Sequence, residues 1–200
     1  MAFEKRGITD CPFCRTPPPT NDAAVMAMFQ ARVAKKDPEA INFLGEKYCH
    51  GKLGLQKDMR RAVKRWSEAA ELGSIPALYS LGVAHDRGEG VEQDEAKAVE
   101  FFTKAAIRGH VEARHTLGFI EKEKGNGDRA VRHCMISAKM GYEDSLENIK
   151  RMFKAGFATK DQYAEALRGY QDAVEEMKSH DRDEAKRLGM KKVYVGRYGW

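Results

Sequence analysis

Apolar and small residues recur along this chain with two superimposed periods. Within single segments they return every three or four residues, as in Ala40, Leu44 and Tyr48, which is the spacing of an α-helix with one buried face. Between segments, the pattern returns after 36 or 37 residues, and after 32 residues in the second helix of the third copy. The pattern therefore predicts pairs of amphipathic helices that repeat along the chain.

A first signature, Ala-x-x-x-Leu-Gly, marks the first helix of each predicted pair. It occurs at residues 40–45, 77–82 and 113–118. A glycine inside a helix costs about 1 kcal/mol relative to alanine, so its return at the same place needs a structural reason. We expect a neighbouring helix to approach closely there.

A second signature marks the second helix of each pair. Its small and apolar positions, Ala-Val-x-x-Phe-x-x-Ala-Ala-x-x-Gly, recur with variations at residues 62–73, 98–109 and 130–141. Trp66 and Phe102 are expected to fill the space between helix layers, and Cys134 takes the same place as a small core residue. Asp37 and Ser74 stand before a proline-containing first turn and are expected to cap their helices.

These motifs together resemble the Sel-one-like repeat family, whose members are short relatives of tetratricopeptide repeats. The resemblance covers roughly residues 38–158. It implies an all-α fold, a right-handed α/α solenoid of helix-turn-helix repeats that acts as a protein-binding adaptor. Nothing in the resemblance implies catalysis.

The domain organisation follows from these boundaries. Thr159 and Gln162 form a capping-box pair that opens a long C-terminal capping helix. In that helix, Tyr163, Leu167, Tyr170, Val174 and Met177 form a stripe expected to seal the solenoid. The predicted segments are a flexible arm at 1–20, a capping helix at 21–36, repeats at 37–73, 74–109 and 110–141 with a degenerate one at 142–158, the long helix at 159–189 and a tail at 190–200.

Composition and charge narrow the range of partners. The net charge of +5 arises from 35 basic and 30 acidic residues of mixed distribution, so no nucleic-acid partner is expected. No apolar run reaches the length of a signal peptide or a membrane span. We therefore predict a monomer in the cytoplasm, with the nucleus as the alternative, that has reduced thiols and a protein or peptide partner.

Cys11-Pro-Phe-Cys14 near the start of the chain resembles the last ligand pair of a RING finger. Only ten residues precede Cys11, and none is cysteine or histidine. A tetrahedral zinc site needs four ligands, so we interpret the pair as a RING remnant that binds zinc only if the missing ligands are supplied. Cys49 and His50 are a less favoured source of two ligands. The alternative function is the substrate-recognition part of a RING-type ubiquitin ligase whose zinc domain is truncated.

The leading hypothesis is a non-enzymatic adaptor whose first helices line a concave groove. Residues at the carboxyl ends of those helices are the candidate partner contacts: Lys47, Tyr48, His85 and Glu121. No combination of nucleophile, base and orienting residue stands out, and phosphate-loop, dinucleotide and zinc-protease motifs are missing. We therefore predict no catalytic residue, no enzyme activity and no cofactor.

Overall fold

The computed structural model describes residues 21–178, which fold into nine α-helices without a strand. The helices are α1 (Asp22–Ala34), α2 (Pro38–His50), α3 (Met59–Glu71), α4 (Ile75–Arg87), α5 (Glu95–Ile107), α6 (Val111–Glu123), α7 (Gly127–Lys139), α8 (Glu143–Lys154) and α9 (Lys160–Glu176). The predicted all-α fold is confirmed. The chain divides between His110 and Val111 into two compact units, with α1–α5 in the first and α6–α9 in the second.

Aspartates cap three of the five helices of the first unit, α2, α3 and α5. The Asp37 carboxylate accepts hydrogen bonds from the backbone N–H groups of Glu39 and Ala40, at 3.0 and 3.2 Å. Such bonds satisfy donors that have no partner within the helix. Ser74 stands at the N-cap of α4, but its expected capping hydrogen bond is not formed. Its side chain is fully buried instead, so packing took precedence over capping at this position.

The first unit is built from two helix pairs, α2 with α3 and α4 with α5. Helix α3 also packs on α4, and α1 packs on α2. A cluster of buried side chains joins α2, α3 and α4: Ile41, Ala62, Trp66, Ala69, Ala77, Leu81 and Ala84. Six of these seven residues belong to or adjoin the two sequence signatures, so the repeated pattern is the core pattern.

The glycine of each first helix accommodates a side chain of the second helix. A Cβ atom added to Gly82 would lie 2.5 Å from Cε1 of Phe102, and one added to Gly45 would lie 2.6 Å from Cδ1 of Trp66. Real Cβ atoms do not approach other atoms so closely, so any side chain at these positions would displace the ring. The expected close approach is therefore one of glycine backbone to aromatic ring.

The second unit places α6 with α7 as a third pair, and adds α8 and α9. Helix α8 packs on α7, and α9 packs on both. Its buried core consists of Ala130, Val131, Cys134, Ala138, Ile149, Met152, Ala158 and Ala166. Cys134 is fully buried, as predicted. The predicted capping box of Thr159 and Gln162 is also confirmed.

Tyr163 of the predicted stripe packs against the core of the second unit, but the most buried residue of α9 lies outside that stripe. Ala166 is the buried residue of this helix, whereas Met177 is 44% exposed. The contact face is turned towards Ala166, Gly169 and Ala173, because a Cβ atom on Gly169 would lie 2.5 Å from Cγ of Lys139 on α7. Small residues allow this close approach, and large apolar spacing alone could not predict it.

Several predicted segments fall at the limits of the described range. The arm at 1–20, the tail at 190–200 and the far end of the predicted 159–189 helix lie outside the described residues. Within them, α9 ends at Glu176. No helix of the described part is both long and apolar enough to cross a membrane.

Candidate protein-binding surface

Three of the four predicted contact residues occupy equivalent positions at the ends of the first helices. The carbonyl oxygen of Tyr48 accepts a hydrogen bond from the backbone N–H of Asp58, and that of His85 accepts one from Asp94, both at 2.9 Å. In the second unit, the carbonyl of Glu121 accepts from the N–H of Asn126 at 2.8 Å. Each of these positions therefore closes the loop that follows its own helix.

The side chains of Tyr48 and His85 are engaged within the first unit. Tyr48 is half-buried, with the Arg61 guanidinium 5.8 Å from its ring centroid. The His85 ring stacks on Phe101 at 5.5 Å, and its Nδ1 is buried without a hydrogen-bond partner among the described residues. These two side chains offer little surface to a partner.

Glu121 is engaged within the second unit in a similar way. Its Oε2 accepts a hydrogen bond from the Asn126 side chain at 2.8 Å and lies 3.9 Å from Nη1 of Arg129. Its side chain is only 18% exposed. The carboxylate therefore holds the short loop between α6 and α7.

Lys47 lies in the last turn of α2, where its carbonyl oxygen accepts a hydrogen bond from the backbone N–H of Lys52 in the following loop at 3.1 Å. Its Nζ stands 4.1 Å from the ring centroid of Phe43, which stacks on Phe29 of α1 at 3.6 Å. Each of the four candidates thus makes contacts within its own unit, and a role for them in partner binding stays a prediction.

The sequence reasoning missed one position on the first helices, the residue that follows the repeated glycine. The inner positions carry identical residues in all three repeats: alanine at 40, 77 and 113, leucine at 44, 81 and 117, and glycine at 45, 82 and 118. The position after that glycine carries Glu46, Val83 or Phe119. Phe119 is 49% exposed, so the fold does not need it as core. Variation beside an unchanging inner face was the signal available in the sequence.

His115 stands one turn before Phe119 on α6. Its Nδ1 lies 2.8 Å from the Ser145 hydroxyl of α8, and its ring meets Tyr142 edge-on at 5.2 Å. Burial lowers the pKa of His115, opposed by the nearby Asp144 carboxylate. A neutral imidazole at neutral pH is thus held against α8 beside the exposed phenyl ring.

The two described cysteines, Cys49 and Cys134, have thiols of low reactivity. Burial raises the pKa of Cys134 to about 11 and, with help from the Glu89 carboxylate, raises that of the half-buried Cys49. Both thiols are protonated at neutral pH and so are poor nucleophiles. No cluster of three or more histidine, cysteine or acidic residues that could hold a metal is present in residues 21–178. Cys11 and Cys14 lie outside that range.

Comparison with known proteins confirms the repeats. The Sel1 repeat model matches residues 38–74 and 75–110, so this part of the chain carries two Sel1 repeats. No curated protein matches the sequence.

Solved structures extend the likeness to the fold. A protective antigen with an SLR fold, present in uropathogenic Escherichia coli strains, is 29% identical with a TM-score of 0.63 over 76% of this chain. A Sel1 repeat protein from Oxalobacter formigenes is 26% identical with the same TM-score over 78% of this chain. The chain spans 33% and 65% of the lengths of these two proteins. An immunity protein from Pseudomonas aeruginosa, 18% identical over 86% of this chain with a TM-score of 0.54, shares the fold alone. The predicted all-α repeat fold is confirmed.

Proposed function

Starting from two matched Sel1 repeats, we propose that this protein is a non-catalytic scaffold that binds another protein or peptide through the outer side of its first helices, which we define by positions 46, 83 and 119. Sel1-repeat proteins generally mediate protein–protein interaction. The proposal describes a cytoplasmic monomer that needs no cofactor. It assigns partner recognition to α2 and α4 in the first unit, and to α6 in the second.

The observation that carries the proposal is the exposed Phe119 at a position whose residue changes from repeat to repeat. A phenyl ring that is 49% exposed contributes little to folding, yet it can bury apolar area against a partner. The equivalent residues, Glu46 and Val83, are half-buried and chemically different. A partner would therefore meet an acidic, an aliphatic and an aromatic side chain in successive repeats, which is a basis for specificity.

The residues that hold each helix pair together are the same in the three repeats, whereas the residues proposed to contact a partner differ. Folding and recognition therefore depend on different positions. The Ala, Leu and Gly positions hold the helix pairs together, whereas Phe119 is 49% exposed and lies outside the buried core. The protonated thiols of Cys49 and Cys134 support a role without nucleophilic catalysis.

The test compares proteins captured by three full-length variants. Wild type, Phe119→Ser and Ile136→Ser are immobilised and exposed to a lysate of the source organism, and bound proteins are quantified by mass spectrometry. Ile136 is 44% exposed and lies on the second helix α7, so it is the matched control. We expect at least one bound protein to fall by about tenfold with Phe119→Ser alone, the loss of about 1.4 kcal/mol of binding free energy.

A parallel pair tests the first unit, with Val83→Ser on α4 and Ile107→Ser on α5, where Ile107 is 73% exposed. Capture that is equal in all variants, or no capture by the wild type, would contradict the proposal.

A second candidate function rests on Cys11 and Cys14, as the end of a RING domain in a ubiquitin ligase that selects its substrate through the repeats. Two thiolates supply half of a tetrahedral zinc site, and residues 21–178 hold no group of three or more histidine, cysteine or acidic side chains that could bind the metal by itself. Elemental analysis of the purified chain separates the two functions. About two zinc ions per chain would favour the ligase, whereas the scaffold predicts none.

A further inference from the structure

Helix α1 ends with the same backbone hydrogen bond as the second helix of a repeat. The backbone N–H of Lys36 donates to the carbonyl of Val33 at 2.9 Å, as that of Gly73 donates to Ala70 at 3.0 Å after α3. Lys36 has φ 57° where Gly73 has φ 101°, and it is thus a non-glycine residue in the left-handed region. The two ends are 37 residues apart, which is the repeat period.

The equivalence identifies which positions of α1 should be covered. In α3, Ala62 and Trp66 are 0% and 5% exposed, because the first helix α2 of the same repeat packs on them. In α5, Ala98 and Phe102 are 0% and 1% exposed under α4. A second helix is therefore closed by its own first helix.

Among residues 21–178, no first helix closes the same positions of α1. Val25 and Phe29, which correspond to Ala62 and Trp66, are only half-buried, and Met28 beside them is 43% exposed. The ring of Phe29 stacks on Phe43 of the following repeat instead. Val25, Met28 and Phe29 thus form an apolar surface, the open α1 face, where complete repeats have a first helix.

The neighbouring repeats define what fits this surface. The rings of Trp66 and Phe102 are each covered by a helix that presents a glycine, Gly45 or Gly82, since a Cβ atom there would collide with the ring. A helix over Phe29 should likewise present a glycine or alanine. The residues 37 positions before Ala40, Leu44 and Gly45 are Phe3, Gly7 and Ile8, so the chain does not carry the signature at that spacing.

The charged residues at the two ends of α1 favour an antiparallel direction for a helix bound to the open α1 face. Helix α1 has Asp22 in its first turn, and at its carboxyl end it has Lys35 and Arg32, whose guanidinium is paired with Asp37 at 2.8 Å. An antiparallel helix with acidic residues in its first turn and basic residues in its last would place opposite charges together. Helix α2, with Glu39 first and Lys47 last, has this distribution.

We propose that the open α1 face binds an amphipathic helix supplied by a partner protein, antiparallel to α1, with a glycine or alanine opposite Phe29. This helix completes the repeat to which α1 belongs. The interaction uses a different surface from the outer side of the first helices, so either can exist without the other.

The test uses a peptide of residues 74–88, a copy of α4, as the probe. Helix α4 is chosen because its Gly82 faces a phenylalanine, as the occupant of the open α1 face would. The fluorescein-labelled peptide is titrated with the full 200-residue chain, and binding is followed by fluorescence anisotropy. We expect saturable 1:1 binding that weakens at least about tenfold when the peptide carries Gly82→Leu.

Two protein variants identify the surface. Met28→Asp puts a charge on the open α1 face and should weaken binding by at least about tenfold. Ala27→Asp is the matched control, since Ala27 is exposed on the other side of α1, and it should change binding by less than about twofold. Circular dichroism melts verify that both variants fold.

Three results would overturn the proposal: no binding by the wild type, equal binding of the two peptides, or equal binding by Met28→Asp and the wild type. The last would mean that the peptide displaces the chain's own α4. Capture by the Phe119→Ser variant is measured separately, so failure here leaves the scaffold proposal standing.

Discussion

The helix pairs α4/α5 and α6/α7 share their inner alanine, leucine and glycine positions and differ in the residue that fills the space between the helices. In the first, Gly82 lies against the ring of Phe102; in the second, Gly118 lies against the thiol of Cys134. Both Phe102 and Cys134 are almost completely buried. The same framework therefore closes around side chains of very different volume.

The glycine of the first helix has different nearest neighbours in the two pairs. At Gly82, the three atoms nearest to an added Cβ are all atoms of the Phe102 ring. At Gly118, they are Sγ of Cys134 at 2.8 Å, and the Ala130 carbonyl and His133 Cβ at 3.3 Å. The carbonyl contact has an equivalent at Gly45, where the Ala62 carbonyl lies 3.3 Å from an added Cβ atom, so the filling side chain is what differs most between the pairs.

The largest expected difference between the pairs is in the free energy of unfolding lost when the side chain between the two helices is truncated to alanine. Phe102→Ala should destabilise the first unit by about 3–5 kcal/mol, since it removes a buried ring and leaves a cavity. Cys134→Ala removes a single sulfur atom and should cost the second unit about 1 kcal/mol. Hydrogen exchange in α5 and α7 measures each unit separately. Equal losses of protection would show that the two positions carry equal packing energy.

Filling the glycine tests the same contact from the other side. Gly82→Ala should cost about 2 kcal/mol, because the Phe102 ring must shift to admit a methyl group. The cost should shrink when Phe102→Leu is also present, in a double-mutant cycle measured by urea unfolding. Gly118→Ala should cost less, because the Cys134 thiol can rotate away. Additive effects of Gly82→Ala and Phe102→Leu would contradict the ring contact.

The thiol also gives the third pair a pH dependence that the second pair lacks. Burial raises the pKa of Cys134 from 9.0 to about 11, so the folded state favours the protonated thiol. Its contribution to stability is complete below pH 9 and is lost as pH rises towards 11; between pH 8 and pH 10 the loss is about 1 kcal/mol. Urea unfolding of the wild type and of Cys134→Ala at both pH values isolates this effect. The same pH slope in both proteins would refute it.

The smallest expected difference concerns the start of the second helix. The Asp94 carboxylate caps α5 by accepting from the Lys97 N–H at 2.9 Å, and this hydrogen bond is the main reason why the pKa of Asp94 is lowered. Asn126 at the start of α7 makes no such bond and donates to Glu121 instead. Asp94→Ala should lower the midpoint of thermal unfolding at pH 7, and Asn126→Ala should lower it less. Because the Asp94 pKa is lowered, its contribution falls as the carboxylate is protonated, so the difference should shrink in acid.

Much of the fold could be predicted because its information is periodic. The alanine, leucine and glycine positions that define the repeats are the buried positions, and Thr159 and Gln162 form the predicted capping box. The contact face of α9 could not be predicted, because small residues such as Ala166 carry no hydrophobic signal although they allow the closest approach. The equivalence of α1 with the second helices was hidden because Lys36 replaces the expected glycine.

The candidate surface was less accessible to sequence reasoning. Tyr48, His85 and Glu121 were chosen by position along the helix, but only the contacts with Arg61, Phe101 and Asn126 reveal that they are engaged within their own repeats. Phe119 was overlooked because a phenylalanine on a helix is usually core. Its exposure depends on which neighbour is present, and this is not a local property.

The pattern of the sequence was enough to predict the helix pairs and their inner face, because a helical period of 3.6 residues within repeats of 32 to 37 residues defines which small and large positions can be buried together. Which of those positions a neighbouring helix covers depends on the packing of the folded chain. Val25, Met28 and Phe29 have the pattern of a core, yet no helix of residues 21–178 buries them fully, since burial requires a second surface.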